Sequence, residues 1–107
     1  MRVLLDECVT RYLKHDLPGQ EVFTAEEAGF KGLQNGRLLQ AAADGGYDVL
    51  VTVDKNLQRQ QNPQSLPVPV VVLSARRSTY PMLKPLMPRL LEALQKIEAG
   101  QVIVIEA

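Results

Sequence analysis

Hydrophobic residues in this chain are concentrated in short runs that are separated by longer stretches of mixed character. The four clearest runs lie at residues 2–5, 48–53, 68–73 and 101–105. Three of them are continuously apolar, which is typical of parallel strands covered on both faces. A weaker run at residues 21–24 follows a Pro-Gly turn and is a fifth candidate strand.

The segments between these runs carry the spacing of amphipathic helices. Apolar residues at four-residue intervals predict a helix over residues 9–17. A second predicted helix covers residues 37–43 and is stopped by a Gly-Gly pair. The third is expected to begin near Pro85, after an irregular turn, and to end at residues 99–100, because proline is tolerated only in the first turn of a helix.

Strands that alternate with helices predict an α/β fold. The expected architecture is a three-layer α/β/α sandwich around a mainly parallel, doubly wound sheet of about five strands. The chain has 107 residues, so we expect a single domain over residues 1–107. Pro67 and Pro69 lack a backbone N–H, and strand pairing in that run should therefore begin beyond Pro69.

Charge and composition narrow the classes of function. Lys and Arg number 12 and Asp and Glu number 12, so the formal net charge is zero. This excludes a globally basic nucleic-acid binder and leaves a local basic patch open. One Cys and one His exclude an intramolecular disulfide and metal sites built from several Cys or His residues. Neither a signal peptide nor a membrane-spanning apolar stretch is evident, so we expect a cytoplasmic protein that does not enter membranes.

Aromatic residues and the single cysteine are expected to serve packing. With no Trp, three Tyr and two Phe, a platform of aromatic rings for stacking bases is not expected. The ring of Tyr12 is interpreted as a partly buried packing group. Cys8 is interpreted as a small buried residue.

Two acidic residues directly follow the two strands that have the most central character. Asp6 follows the run at 2–5, and Asp54 follows the run at 48–53. Ligands of open α/β sheets bind beyond the carboxyl ends of the strands, so neighbouring strands would bring the two carboxylates into one crevice. Close carboxylates repel each other unless they share a cation, and Mg²⁺ binds carboxylates together with substrate phosphates. The alternative is that both residues only cap helices.

Polar residues near these acids have two interpretations each. Glu7 is either a further metal ligand or an acid favoured by the helix dipole in a first helical turn. Asn56 either orients a water or a phosphate at the metal, or forms an Asx turn. Lys55 and Arg76 either contact a phosphate backbone or belong to a solvated face.

Several of these segments together resemble a small PIN-like (PilT N-terminus-like) domain family related to toxin-type ribonucleases. The most specific parts are Leu4-Leu5-Asp6-Glu7, Thr52-Val53-Asp54-Lys55-Asn56-Leu57 and Gln60-Gln61-Asn62. The resemblance implies a ribonuclease that depends on Mg²⁺ or Mn²⁺, acts on an RNA substrate and, in toxin members, is held inactive by an antitoxin protein. It also implies that Asp6 and Asp54 are the core metal ligands, with Glu7 and Asn56 beside them.

One position departs from the pattern of this family. Active PIN-type domains generally place another acid at the start of the middle helix, where this chain has Asn35 and Arg37. Asp44 and Asp48 flank the start of a strand, at the wrong end of the sheet to replace it. A site with fewer acids should bind Mg²⁺ more weakly, and Arg37 is instead a candidate contact to RNA.

Two other functions stay open. A PIN-like module without catalytic activity would keep the fold and serve as a binding partner. A response-regulator receiver would use Asp54 as phosphoacceptor, Ser74 as switch residue and Lys84 as its lysine. The spacing does not favour a receiver, because no apolar strand precedes Lys84 and a strand is expected at residues 101–105. Self-association to a homo-oligomer is also expected of so small a domain, because 107 residues cover flat apolar faces poorly.

Overall fold

The structure is a computed structural model and describes residues 1–55 and 66–107. Within these residues the chain forms one sheet of five strands. The strands are β1 (Arg2–Leu5), β2 (Glu21–Thr24), β3 (Val49–Thr52), β4 (Val70–Ser74) and β5 (Val102–Glu106). All five predicted strands are confirmed, and β4 begins directly after Pro69, as expected from the missing N–H.

The strand order is β2-β1-β3-β4-β5, and every neighbouring pair is parallel. Leu5, at the end of β1, lies opposite Val51 of β3 on one side and Thr24 of β2 on the other. The strand order therefore reverses between β1 and β3: β2 is added on the side of β1, and β4 and β5 are added on the side of β3. In doubly wound sheets this line is the point at which a crevice opens beyond the carboxyl ends of the strands.

Helices cover both faces of the sheet. The α-helices in the described residues are α1 (Asn35–Asp44), α2 (Tyr80–Leu83) and α3 (Met87–Lys96), and 3-10 helices occupy Arg11–Asp16 and Lys84–Leu86. None of the helices in residues 1–55 and 66–107 is long and apolar enough to cross a membrane. The predicted second helix is confirmed as α1, which ends at Gly45 and Gly46.

The first predicted helix is a six-residue 3-10 helix instead of an α-helix over residues 9–17. Thr10 has extended backbone, with a ψ of 132°, and its hydroxyl accepts the N–H of Tyr12, so the helix begins only at Arg11. Pro18 disfavours helical backbone at Leu17, whose ψ is 70°, so the helix ends at Asp16. The apolar spacing is still used, since Val9, Leu13 and Leu17 are all buried.

The third predicted helix differs at both ends. A helical turn forms already at Tyr80–Leu83, and the regular helix α3 begins only at Met87, because Pro85 lies in the intervening 3-10 turn. The helix ends at Lys96, where the next residue, Ile97, has extended backbone. The position of Pro88 at the second residue of α3 agrees with the preference of proline for a first turn.

Alternate residues of the central strands supply two separate cores. On one face Leu5 and Val51 pack with the 3-10 helix residue Leu13 and with Leu90 of α3. On the other face Leu4, Leu50 and Val72 pack with α1 through Leu38, Leu39 and Ala42. Burial on both faces explains why these strands are continuously apolar. The predicted α/β sandwich around a parallel, doubly wound sheet is therefore confirmed.

Candidate functional site

The sheet places Asp6 and Asp54 on either side of the β1–β3 switch point. The backbone N–H of Asp6 donates a hydrogen bond to the carbonyl of Val51 at 2.9 Å, so Asp6 continues the pairing of β1 with β3 beyond the end of the strand. Asp54 lies two residues past the end of β3, at the same edge. The prediction that the two acid-terminated strands are parallel neighbours is confirmed.

A buried threonine connects the two acidic positions. Thr52, the last residue of β3, is completely buried. Its hydroxyl donates a hydrogen bond to Oδ2 of Asp6 at 2.8 Å and accepts one from the backbone N–H of Asp54 at 3.0 Å. The loop after β1 and the loop after β3 are thereby joined through one side chain.

The carboxylate of Asp6 is held by three groups of the chain. Its Oδ1 accepts the backbone N–H of Glu7 at 2.7 Å, and its Oδ2 accepts the Cys8 thiol at 3.5 Å in addition to the Thr52 hydroxyl. An ionised carboxylate offers about four lone-pair positions. The described hydrogen bonds therefore leave a position on Oδ1 for an external partner.

Cys8 is exposed, so its interpretation as a buried residue is wrong. Its sulfur lies 3.6 Å from the Thr52 hydroxyl as well as next to Asp6. Desolvation of the sulfur raises the pKa of the Cys8 thiol, with the neighbouring Asp6 carboxylate adding to the rise. The sulfur is therefore a neutral thiol near pH 7 and acts as a hydrogen-bond donor to Asp6.

Glu7 links the loop after β1 to the loop after β2. Its Oε1 accepts the backbone N–H of Gly32 at 3.1 Å. Gly32 has a φ of 87°, a conformation that favours glycine, so the position of this N–H depends on the glycine. Glu7 is close to Asp6 along the chain, but one of its oxygens is already used inside the protein.

The predicted basic contacts all lie at the carboxyl edge of the sheet. Lys55 is exposed directly after Asp54, and Arg76 is exposed in the loop after β4. Arg37 is exposed in the first turn of α1, which begins at this edge and contains no acid in that turn. Asn56 lies outside the described residues, and so does the Gln60-Gln61-Asn62 segment.

Asp44 and Asp48 lie away from this edge, as expected. Asp48 precedes β3 and accepts the backbone N–H of Arg2 at 2.7 Å, at the amino ends of β1 and β3. Asp44, at the end of α1, accepts a hydrogen bond from the Gln40 side chain at 3.0 Å. Neither carboxylate is placed to complete a site with Asp6.

A cleft of about 800 Å³ opens beside Asp6 and Glu7, toward the loop after β2. One wall is the 3-10 helix, including Tyr12, and the other is the loop after β2. Lys14 and Glu27 form an ion pair at 2.6 Å within the lining of this cleft.

The loop after β2 is held by a capping box, which was not predicted from the sequence. The Thr24 hydroxyl accepts the N–H of Glu27 at 3.1 Å, and Oε1 of Glu27 accepts the N–H of Thr24 at 3.0 Å. The hydrogen bond from Lys14 lowers the pKa of Glu27, with a further contribution from the Thr24 backbone N–H. The Thr-x-x-Glu pattern in the sequence was the signal that could have identified this turn.

The acids at the switch point form a sparse donor set. In the described parts of the chain no group of three or more His, Cys, Asp and Glu side chains is arranged to hold a metal ion. What the edge offers are the carboxylates of Asp6 and Asp54. Such a set suits a hard cation that completes its shell with waters and substrate phosphates, as Mg²⁺ does, and does not suit a cation that needs a full protein cage.

Comparisons with family models, curated proteins and solved structures gave no match. Function must therefore be inferred from the residues and their geometry. For the receiver alternative, Lys84 lies in a 3-10 turn with its Nζ 5.5 Å from the centre of the Tyr80 ring. The strand after it, β5, follows only at Val102–Glu106. This arrangement does not favour a lysine placed by a strand end beside Asp54.

Proposed function

We propose that this protein is a metal-dependent endoribonuclease whose site is the crevice between Asp6 and Asp54. The observation that carries the proposal is the pair of acid-terminated, adjacent parallel strands at the switch point, joined through Thr52. A fully buried hydroxyl at the end of a central strand is used to orient a carboxylate that faces outward. The resemblance of the same segments to PIN-like domains supports the choice of RNA as substrate.

Asp6 and Asp54 are the residues proposed to hold Mg²⁺ or Mn²⁺. Asp6 offers Oδ1, while the Thr52 hydroxyl and the Cys8 thiol bind Oδ2 and fix the orientation of the carboxylate. Glu7 is proposed to act from the rim, since Gly32 holds one of its oxygens. When bound, the divalent cation supplies charge neutralisation for the scissile phosphate and makes a water molecule more acidic.

The basic residues at the same edge are proposed to hold the phosphates that flank the cut. Lys55, Arg76 and Arg37 reach it from the loop after β3, the loop after β4 and the start of α1. Asn56 is proposed to orient the attacking water, by its place in the sequence two residues after Asp54. Because the formal net charge is zero, RNA affinity should be modest and should fall as salt is added.

A second function is favoured by a specific observation. Glu7 is engaged by Gly32, and the first turn of α1 carries Arg37 in place of an acid. A site with so few carboxylates also suits a PIN-like module without catalysis, which would bind RNA or a partner protein such as an antitoxin. The two proposals differ in whether phosphodiester bonds are cut.

Cleavage of a labelled single-stranded RNA in Mg²⁺ or Mn²⁺ tests the first proposal. We expect slow cleavage that EDTA abolishes and that Asp54→Asn reduces by at least tenfold. Asp44→Asn is the matched control, because it removes an exposed carboxylate at the opposite end of the sheet. Equal cleavage by wild type and Asp54→Asn would show that the activity comes from elsewhere.

Restoring an acid at the start of α1 separates the two proposals further. Asn35→Asp should raise the rate or lower the Mn²⁺ concentration needed for half-maximal cleavage. Arg37→Glu should lower the Mn²⁺ requirement as well, but it should weaken RNA binding, because it removes a proposed phosphate contact. Gln40→Glu adds one negative charge further along α1, as Asn35→Asp does at its start, and should change neither the rate nor the Mn²⁺ requirement. If wild type and both restored variants cut no RNA with either metal, the binding module is the correct proposal.

A further inference from the structure

We propose that Tyr12 is a base-stacking residue that holds an unpaired base of the RNA strand in the cleft beside Asp6. The inference rests on the proposed function and adds to it a subsite for the nucleotide next to the cut. The sequence predicted no extended aromatic platform, and the proposal requires only one ring.

The exposure of Tyr12 is the first observation. Tyr12 is 56% exposed, although Leu13, the next residue of the 3-10 helix, is buried in the core. The expectation that this ring is a partly buried packing group is therefore wrong. An aromatic ring exposed in the lining of a cleft that also contains Asp6 is available to a planar ligand.

The ring is exposed but held in place. Tyr80 contacts it edge-on, with ring centroids 5.6 Å apart and an angle of 64° between the planes. Tyr80 is in turn fixed by a hydrogen bond from its hydroxyl to Oδ2 of Asp16 at 2.6 Å. A ring that is positioned before binding loses less conformational entropy when a base stacks on it.

Basic groups in the cleft are placed to contact a nucleotide. The guanidinium of Arg11 lies 5.5 Å from the centre of the Tyr12 ring, so an arginine and an aromatic ring stand together, a combination that binds bases of single strands. Lys31 also lines the cleft. Four acids among the described residues also line the cleft. Glu27 is paired with Lys14, one oxygen of Glu7 is bound by Gly32, Asp6 is assigned to the cation, and Glu26 is exposed.

Stacking explains what kind of RNA the site would prefer. Every base has a π-face, so a single tyrosine selects for an unpaired base and not for a particular sequence. Because the cleft includes Asp6, a base on Tyr12 and a phosphate at the crevice can belong to neighbouring parts of one strand. The predicted substrate is therefore a single-stranded segment or loop.

Binding of a fluorescein-labelled single-stranded RNA decamer in EDTA tests the proposal by fluorescence anisotropy. Tyr12→Leu should weaken binding by roughly 5- to 100-fold, the range of one base–aromatic stacking contact. Tyr12→Phe keeps the ring and should bind within about twofold of wild type. Equal affinity of wild type and Tyr12→Leu would overturn the proposal, as would failure of wild type to bind the decamer.

A second measurement uses only wild type and so does not depend on the folding of a variant. An RNA decamer with abasic positions should bind wild type more weakly than the normal RNA decamer. An abasic DNA decamer should show the same loss relative to the normal DNA decamer. Undiminished binding of the abasic decamers would mean that only the backbone is recognised and would overturn the proposal. EDTA removes divalent cations and so prevents cleavage during the binding assay. If the protein binds the decamer through the Tyr12 ring but cuts no RNA in Mg²⁺ or Mn²⁺, the proposed nuclease activity is rejected and the stacking site is retained.

Discussion

At the scale of single residues, Thr52 is the most informative side chain of the site. Its neighbours in β3 are apolar, and a valine would fill the same space in the strand. A buried hydroxyl costs free energy unless it is hydrogen-bonded, and here it is bonded on both sides, to Asp6 and to Asp54. The chain thus places a polar group in its core at the point where two loops must be held in register.

Replacing this hydroxyl should lower the stability of the fold. Thr52→Val should lower the free energy of unfolding by about 1–3 kcal/mol, because the Asp54 N–H loses this acceptor and the Asp6 carboxylate loses a donor. Thr52→Ser retains the hydroxyl and should cost less. Urea unfolding measures both variants, and a Thr52→Val protein as stable as wild type would show that the hydroxyl bonds contribute nothing.

The residues of the candidate site were predictable where a simple rule applies and not elsewhere. Asp6 and Asp54 follow from the rule that ligands bind at the carboxyl ends of adjacent strands. Thr52 was missed because threonine is common in strands for its branched shape, and its hydrogen-bond partners lie in another strand. The predicted burial of Cys8 and Tyr12 was also wrong. Cys8 lies in the turn after β1 and Tyr12 lies in the short 3-10 helix, and the exposure of each depends on how these segments are oriented on the sheet.

At the scale of elements, hydrophobic patterning predicted strands better than helices. A buried strand needs only a continuous apolar run, so β1 and β3 were located within one residue at each end. Helix type depends on how far a helix can extend between its cap and the next proline, which the spacing of apolar residues does not show. This is why the apolar spacing of Val9, Leu13 and Leu17 identified the buried face but not the 3-10 geometry.

The loop after β2 supplies a prediction about pH. The folded-state pKa of Glu27 is lowered by the hydrogen bond from Lys14, so its carboxylate stabilises the fold above its ordinary pKa of 4.5 and loses this effect as the pH falls through the folded value. Glu27→Gln should therefore lower the free energy of unfolding at pH 7 by about 0.5 kcal/mol. The difference from wild type should shrink below pH 4.5.

Urea unfolding at several pH values between about 3 and 7 measures this difference. Glu26→Gln is the control, since Glu26 is the exposed neighbour in the same loop. A Glu27→Gln deficit that persists unchanged at pH 3 would mean that shape, and not the charge of the carboxylate, accounts for the effect.

At the scale of the whole molecule, the polar residues at the two edges of the parallel sheet have different roles. At the amino edge, the backbone N–H of Arg2 donates a hydrogen bond to the carboxylate of Asp48, which connects the starts of β1 and β3. At the carboxyl edge, Asp6 and Asp54 flank the switch point and basic residues lie around them. A zero net charge is compatible with this division, because the function requires only a local patch.

This arrangement also decides whether a variant disturbs the hydrogen bonds of the Asp6 carboxylate. Asp6→Asn would disturb the hydrogen bonds from Glu7, Cys8 and Thr52, so a loss of metal binding could reflect a disturbed loop. Asp54→Asn leaves those bonds in place and retains the backbone N–H that binds Thr52.

The central claim is that the β1–β3 crevice holds a divalent cation between Asp6 and Asp54. The most direct measurement is anomalous X-ray scattering from crystals of wild type and Asp54→Asn grown with Mn²⁺. We expect an anomalous peak in contact with both carboxylates in wild type and its loss in Asp54→Asn. A wild-type crystal without a peak at this position, or with Mn²⁺ bound only elsewhere on the protein, would contradict the account.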